Sequence, residues 1–240
     1  PIVPECTYGT DETGLQKGIG THKWVIGHTG ESIQYQQHSD GQENITVIVT
    51  ICGDGMSIAP TVYSRVPVIR QACIGYSKKG YTAGEIGVEW IKQFDVQTKD
   101  KSHGHQRLLL IDGHTLHYRK AFLDYAHAHQ IVTICYPSHS IHIYQGLDVV
   151  IFSVLKWCWS QAWDKYELQT GEKVSKSNFL SIYGKVHLTA LTAENIKAVF
   201  CKTGVIPLDW TVIYVETMAP SQTSLTWAYL PFQPPSLVQA

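Results

Sequence analysis

The chain is expected to fold as an α/β protein, with a mixed central sheet flanked by helices. Three observations carry this expectation. Short β-branched runs alternate with segments of helical periodicity. The first two runs are separated by Gly53-Asp54-Gly55, a turn signal that pairs them as a hairpin, whereas helical segments separate the later ones. The 240 residues are 44% hydrophobic, enough for one large domain or a domain with an appendage.

The elements follow in order. Ile45 to Ile51 (Ile-Thr-Val-Ile-Val-Thr-Ile) is β-branched throughout and reads as a buried strand. Ile58 to Val66 is the second strand of the hairpin. The stretch before them, Gln16 to Asn44, is rich in Gly, His and Gln and is expected to hold a strand at Lys23–Ile26 and a loop. Thr82 to Phe94 reads as a helix capped by Thr82, with Glu85 three residues on and Ile86, Trp90, Ile91 and Phe94 sharing one face. Lys99 to Gln106 is a polar loop, and Leu108 to Ile111 is the central strand. Arg119 to His129 is a helix with Phe122, Leu123 and Ala126 inward. Ile131 to Cys135 is another strand, ended by Tyr136-Pro137-Ser138. Leu147 to Tyr166 is helical, and its aromatic stripe of Phe152, Trp157, Trp159 and Trp163 is expected to be core. Asn178–Tyr183 and Thr192–Thr203 are short helices, the second capped by Thr192 and stopped by Gly204. From Pro220 the chain is Pro- and Ser-rich and is expected to be an extended tail.

Composition narrows the function. Nineteen basic residues face twenty acidic ones, for a formal charge of −1, which argues against a strong standalone DNA binder. Local patches at Lys78-Lys79, Lys99 with Lys101, and Arg119-Lys120 remain as candidate phosphate contacts. No run of about eighteen apolar residues occurs, so no membrane span is expected. The six cysteines are scattered and form no C-x-x-C pair, the pattern of a reducing compartment rather than a disulfide framework. The start, Pro1-Ile2-Val3-Pro4, is unlike a signal peptide and is read as a cut from a longer chain.

Three aspartates carry the chemistry. Asp11 stands in Tyr8-Gly-Thr-Asp-Glu-Thr-Gly14. Asp112 ends the apolar run Leu108–Ile111 and precedes Gly113, as a ligand at the carboxyl end of a sheet strand does. Asp148 precedes Val149-Val-Ile-Phe152, where an acid entering a buried helix costs stability unless it is paired or metal-bound. Carboxylates gathered from distant segments can hold two divalent cations for phosphoryl chemistry. On a strand, Asp11 and Glu12 point to opposite faces, so only one of them joins a given site. The histidine pairs His114-x-x-His117 and His139-x-x-His142 offer a competing zinc reading, since imidazole suits that ion. Neither pair has the H-E-x-x-H arrangement of a metalloprotease helix, and no G-x-S-x-G supports a serine nucleophile.

Taken together, these motifs resemble the catalytic core of DDE-superfamily endonucleases of the pogo/Tigger transposase type, in their fungal subgroup. The likeness rests on Tyr8–Gly14, Asn44–Cys52, Lys79-Gly-Tyr-Thr82, Leu108–His114, Tyr136–Ser140, Gln145–Phe152, Leu155-Lys156, Thr192–Ile196 and Phe200–Pro207. It implies an RNase H-like fold with a C-terminal helical extension: a core over 1–166, the extension over 167–219 and the tail over 220–240. The family's three metal-binding acids fall on Asp11, Asp112 and Asp148, with residues 113–147 between the last two, a spacing typical of the group. The resemblance implies two Mg²⁺ or Mn²⁺ ions, DNA strand cleavage and strand transfer, action on transposon ends and target DNA with homo-oligomers on DNA, and a nuclear location. His114, His117, His139 and Gln145 are candidates to orient the ligands or face DNA, and Lys78, Lys79, Arg119 and Lys120 to contact phosphates. Leu116 stands where relatives carry Ser, and Tyr63 to Tyr76 is shorter than theirs. These departures favour a second reading, a degenerate or domesticated module that binds DNA or protein without catalysis.

Overall fold

The computed structural model describes residues 2–16, 44–64, 73–76, 84–112, 120–136 and 145–212. Its centre is a six-stranded mixed sheet. In chain order the strands are β1 (Thr7–Gln16), β2 (Asn44–Cys52), β3 (Thr61–Ser64), β4 (Cys73–Tyr76), β5 (Arg107–Ile111) and β6 (Ile131–Cys135). Across the sheet the order is β4-β3-β2-β1-β5-β6. The β1–β2 and β2–β3 pairs are antiparallel, and the β3–β4, β1–β5 and β5–β6 pairs are parallel. This mixed α/β sheet with helices on its faces is the RNase H-like architecture expected from the sequence.

The β-branched run of β2 lies in the middle of the sheet and is covered on both sides. Ile45, Val47, Val49 and Ile51 enter one core and Ile48 enters the other, as the period of two requires. The hairpin to β3 forms as expected, but β3 starts at Thr61, behind Pro60, which has no N–H for a ladder. A strand at Cys73–Tyr76 was not expected. It is four residues long, contains a glycine, and is held by parallel pairing with β3.

On one face lie α1 (Gly84–Thr98) and α2 (Lys120–Ala128). Ile86, Trp90, Ile91 and Phe94 of α1 and Phe122 and Ala126 of α2 pack on Tyr8, Leu109 and Ile111. Phe94 meets Tyr8 edge-on at 5.1 Å, and Trp90 stacks on Phe122 at 6.3 Å. Leu123, expected inward, is instead among the exposed apolar residues, because α2 is short and turns only the Phe122–Ala126 stripe to the sheet.

The other face carries a single π-helical turn, Leu147–Ile151, running directly into α3 (Phe152–Thr170), followed by α4 (Lys176–Ala190) and α5 (Ala193–Lys202). Phe152, Leu155, Trp159 and Trp163 of α3 join Phe179 and Tyr183 of α4 and Ile196, Val199 and Phe200 of α5 in one core with β2. Trp157 departs from the expected stripe. It is 63% exposed, because a period of 3.6 that buries residues 155, 159 and 163 turns 157 outward. Thr192 caps α5 by accepting the Asn195 N–H at 3.2 Å, and Gly204 follows with φ +69°, both as the sequence indicates.

Cys6, Cys52, Cys135, Cys158 and Cys201 are free thiols. Thr82, the strand expected at Lys23–Ile26 and the tail from Pro220 lie outside the described residues.

Candidate active site

β1 and β5 run parallel in a register that pairs Thr7 with Leu108 and Gly9 with Leu110. Carried two residues further, that register brings Asp11 level with Asp112, which follows the last residue of β5. Directly opposed residues in a sheet point to the same face, so Asp11 and Asp112 share one. It is the face of the π turn and α3, since Leu15, four residues along β1, enters that core. Glu12 pairs with Ile48, whose side chain lies in the opposite core. Strand alternation sends Asp11 and Glu12 to opposite faces, as expected, and the register puts Asp11 on the face of Asp112.

The third acid comes from across this face. Asp148 is the second residue of the π turn. A π turn puts one extra residue into the helix and recurs at functional sites. Gly146, just before it, lies so close to α5 that a Cβ there would collide with Val199 and stand 3.1 Å from Thr203 Cγ2. Glycine therefore permits the approach of the π turn to α5, and with it the position of Asp148.

The electrostatics show that the acids sense one another. Asp11 is 8% exposed. Its carboxyl is held well above the ordinary carboxylate range, first by burial, then by the charge of Asp148, with Asp112 adding to the rise. The Glu12 N–H, donated to Asp11 Oδ1 at 2.7 Å, offsets part of it. Asp148 is also raised, by loss of solvent and by Asp112, against the pull of Lys156. Tyr136, just past β6, has its hydroxyl raised by burial and by the charge of Asp11. Sequence reading passed over Tyr136. Its signals were its place in the Tyr136–Ser140 motif and at the end of a strand parallel to β5.

Asp11 Oδ2 is buried with no hydrogen-bond partner among the described residues, and the same holds for both polar atoms of Gln145. Gln145 comes near enough to Asp11 to pull its carboxyl slightly down, although no hydrogen bond of good geometry joins them. An unpaired buried carboxylate oxygen with two further acids in range is an all-oxygen donor set, of the kind that suits Mg²⁺ or Mn²⁺. The fit is one of donor chemistry. Among the described residues no three His, Cys, Asp or Glu side chains stand close enough together to hold a metal ion.

The remaining candidates divide. Lys120 is exposed and pairs with Asp124 at 3.2 Å, one turn along α2. His114, His117, His139, Lys78, Lys79 and Arg119 lie outside the described residues, as do the full His-x-x-His pairs and Leu116.

Residues 70–200, more than half of the chain, match the model of the DDE superfamily endonuclease family. The chain belongs to that family. Among solved structures it is similar to the Mos1 transposase paired-end complex with left transposon end, at 9% identity and TM-score 0.58, over 83% of this chain and 52% of that one. It is likewise similar to the Mos1 mariner paired end complex with Mn, at 10% identity and TM-score 0.58, over 84% and 53%. At such identity the likeness is one of fold. A curated relative from Cochliobolus lunatus, the MFS-type transporter clz9, is 30% identical over 219 residues, 87% of this chain. The chain spans only about a quarter of that relative's length, 24%. Among the described residues no helix is long and apolar enough to cross a membrane.

Proposed function

We propose that this DDE-family chain is the catalytic core of a pogo/Tigger-type transposase of the fungal subgroup, an endonuclease that cuts DNA strands and transfers the freed ends. One observation carries the reading: the buried, unpaired Asp11 oxygen on the sheet face it shares with Asp112, with Asp148 brought across from the π turn. A cluster of like charges is costly in a low-dielectric site, and a divalent cation lowers that cost. Asp11, Asp112 and Asp148 would hold two Mg²⁺ or Mn²⁺ ions. Bound there, the ions would lower the pKa of an attacking water or 3′-hydroxyl and neutralise charge on the leaving oxygen.

The chain's own groups do the rest. Burial of Asp11 keeps bulk water from one side of the site. Lys156, exposed on α3, offsets part of the charge of Asp148 and would be free to meet a DNA phosphate. The near-neutral composition gives weak, sequence-indifferent affinity for DNA, strengthened by Mg²⁺. In this reading the chain works in the nucleus on transposon ends and target DNA, as a homo-oligomer. A second reading, a DNA-binding or interaction module without catalysis, is favoured by Leu116 in place of the family's Ser.

Nicking of supercoiled plasmid by the purified chain separates the two. Transposase chemistry gives nicking that needs Mg²⁺ or Mn²⁺ and stops in Asp148→Asn. DNA binding without nicking, in either metal, favours the second reading.

A further inference from the structure

Gln145 is 2% exposed, yet neither its amide nitrogen nor its amide oxygen is paired among the described residues. A buried primary amide has two donors and an acceptor to satisfy, and such groups nearly always find partners. Two neighbours have complementary needs. Asp11 Oδ2, an acceptor, is also buried and unpaired among the described residues. Tyr136 carries a hydroxyl and lines, with Gln145, Gly9, Thr10 and Gly146, a cavity of about 10 Å³. That is room for a single water.

The backbone fixes where the amide can reach. Gly146 is packed against Val199 of α5, which leaves the preceding residue little freedom to slide. The Gln145 carbonyl accepts the N–H of Val149 at 3.2 Å and so anchors the π turn that carries Asp148. Gln145 is thus tied through its backbone to the segment of one acid, while its side chain adjoins another.

The geometry points to Gln145 as a positioning residue: its amide nitrogen donates to Asp11 Oδ2, and its amide oxygen accepts from the Tyr136 hydroxyl, directly or through one water in the cavity. This rests on the reading of the acids as a divalent-cation site. The arrangement satisfies each of the unpaired atoms and turns the remaining lone pairs of Asp11 toward the cation. It also explains an amide at this place rather than a carboxylate, which would set a fourth like charge beside Asp11.

The test is Mn²⁺ affinity of the full chain, measured by calorimetry without DNA, together with the melting temperature of the metal-free protein. Gln145→Met keeps the volume and removes both polar atoms. It is expected to weaken Mn²⁺ binding about 10- to 100-fold, the usual effect of losing a group that orients a ligand. Tyr136→Phe should weaken it less, and the double variant should bind no more weakly than Gln145→Met alone. A packing role would instead lower the melting temperature and leave Mn²⁺ affinity within about twofold of wild type, against the 10–100-fold loss expected. That result, with Asp11→Asn failing to bind, overturns this inference and leaves the cation site standing. If wild type and Asp11→Asn bind Mn²⁺ alike, the cation site falls and this inference with it. Should Gln145→Met not fold, the side-chain amide protons of Gln145 in wild type decide by NMR: protection from solvent exchange that is lost in Asp11→Ala supports the contact, and free exchange in wild type refutes it.

Discussion

The two ends of β5 handle buried charge in opposite ways. At its start, Arg107 pairs with Asp95 of α1 at 2.7 Å, with the two side chains 4% and 10% exposed. The guanidinium also donates to Thr98 Oγ1 at 2.9 Å and to the His129 carbonyl at 2.6 Å, while Tyr125 donates to the other Asp95 oxygen at 3.3 Å. There a charge of each sign is buried with its hydrogen bonds largely made. At the other end of the strand Asp112 comes level with Asp11 and Asp148 joins from the π turn, so that three carboxylates sense one another, with Lys156 offsetting part of the charge of Asp148. The first end is what burial demands of a stable fold. The second raises the energy of the bare protein, a condition that a bound cation relieves. The stretch that matches the DDE superfamily endonuclease family, residues 70–200, includes both ends of β5 and the π turn.

The largest expected effect breaks the acid end. Asp11→Asn should abolish metal-dependent nicking and raise the melting temperature of the metal-free protein, because it removes a buried like charge. The pH dependence carries the same sign. The folded-state pKa of Asp11 lies above its unfolded value, so the folded state holds the extra proton between the two. Stability from this group is therefore full below the unfolded pKa, about 4, and is lost as pH rises through the folded one. Thermal melts of the metal-free protein should show wild type losing more stability than Asp11→Asn as pH rises from 4, a difference that saturating Mn²⁺ shrinks.

Arg107→Ala tests the opposite end. Leaving Asp95 buried without its cation should cost about 3–5 kcal/mol in urea unfolding, whereas replacing both residues by apolar ones of similar volume should cost far less. Equal losses in the single and double variants would mean that the pair is not the unit.

His187 separates burial from like charge. It sits in α4 between Tyr183 Oη and Ser57 Oγ, each at 3.3 Å, and burial lowers its pKa to about 4. Its neutral form is the folded one, so its contribution is present above the unfolded pKa of about 6.5 and is lost as pH falls toward 4. The loss should be on the order of 2–3 kcal/mol and should vanish in His187→Gln. Asp11 and His187 thus pull the pH profile in opposite directions: as pH rises from about 4, Asp11 takes stability away and His187 adds it, and the two variants divide the profile.

The smallest effect is expected from Glu12→Gln. Its side chain faces away from the acids, so nicking should stay near the wild-type rate. A loss matching that of Asp11→Asn would reverse the assignment of the two carboxylates.

Legibility in the sequence followed locality. The β-branched run of β2 and the apolar runs of β5 and β6 specify their strands on their own, and Thr192, Asn195 and Gly204 specify the ends of α5. The place of Asp112 at the end of β5 was legible because it closes an apolar run before a glycine. What the sequence did not show depends on pairing at a distance. β4 is a strand only because β3 lies beside it. The π turn differs from an α-helical one by a single residue and has no compositional signature. Trp157 was misplaced because an aromatic stripe was read without following its period. Arg107 was passed over as the edge of a loop, although a lone Arg opening an apolar strand is a signal of buried pairing. Gln145 was a candidate from the resemblance alone, and its nearness to Asp11 and Tyr136 emerges only from the three-dimensional packing of β1, β6 and the π turn.

The central claim is that the carboxyl end of β5, and not its amino end, is a cation site. Anomalous diffraction from crystals soaked in Mn²⁺ tests it most directly. The account predicts anomalous density about 2.1–2.3 Å from carboxylate oxygens of Asp11 and at least one of Asp112 and Asp148, with none beside Arg107 and Asp95. Ordered density for all three acids with no Mn²⁺ between them, at a concentration that saturates any binding seen in solution, would contradict it.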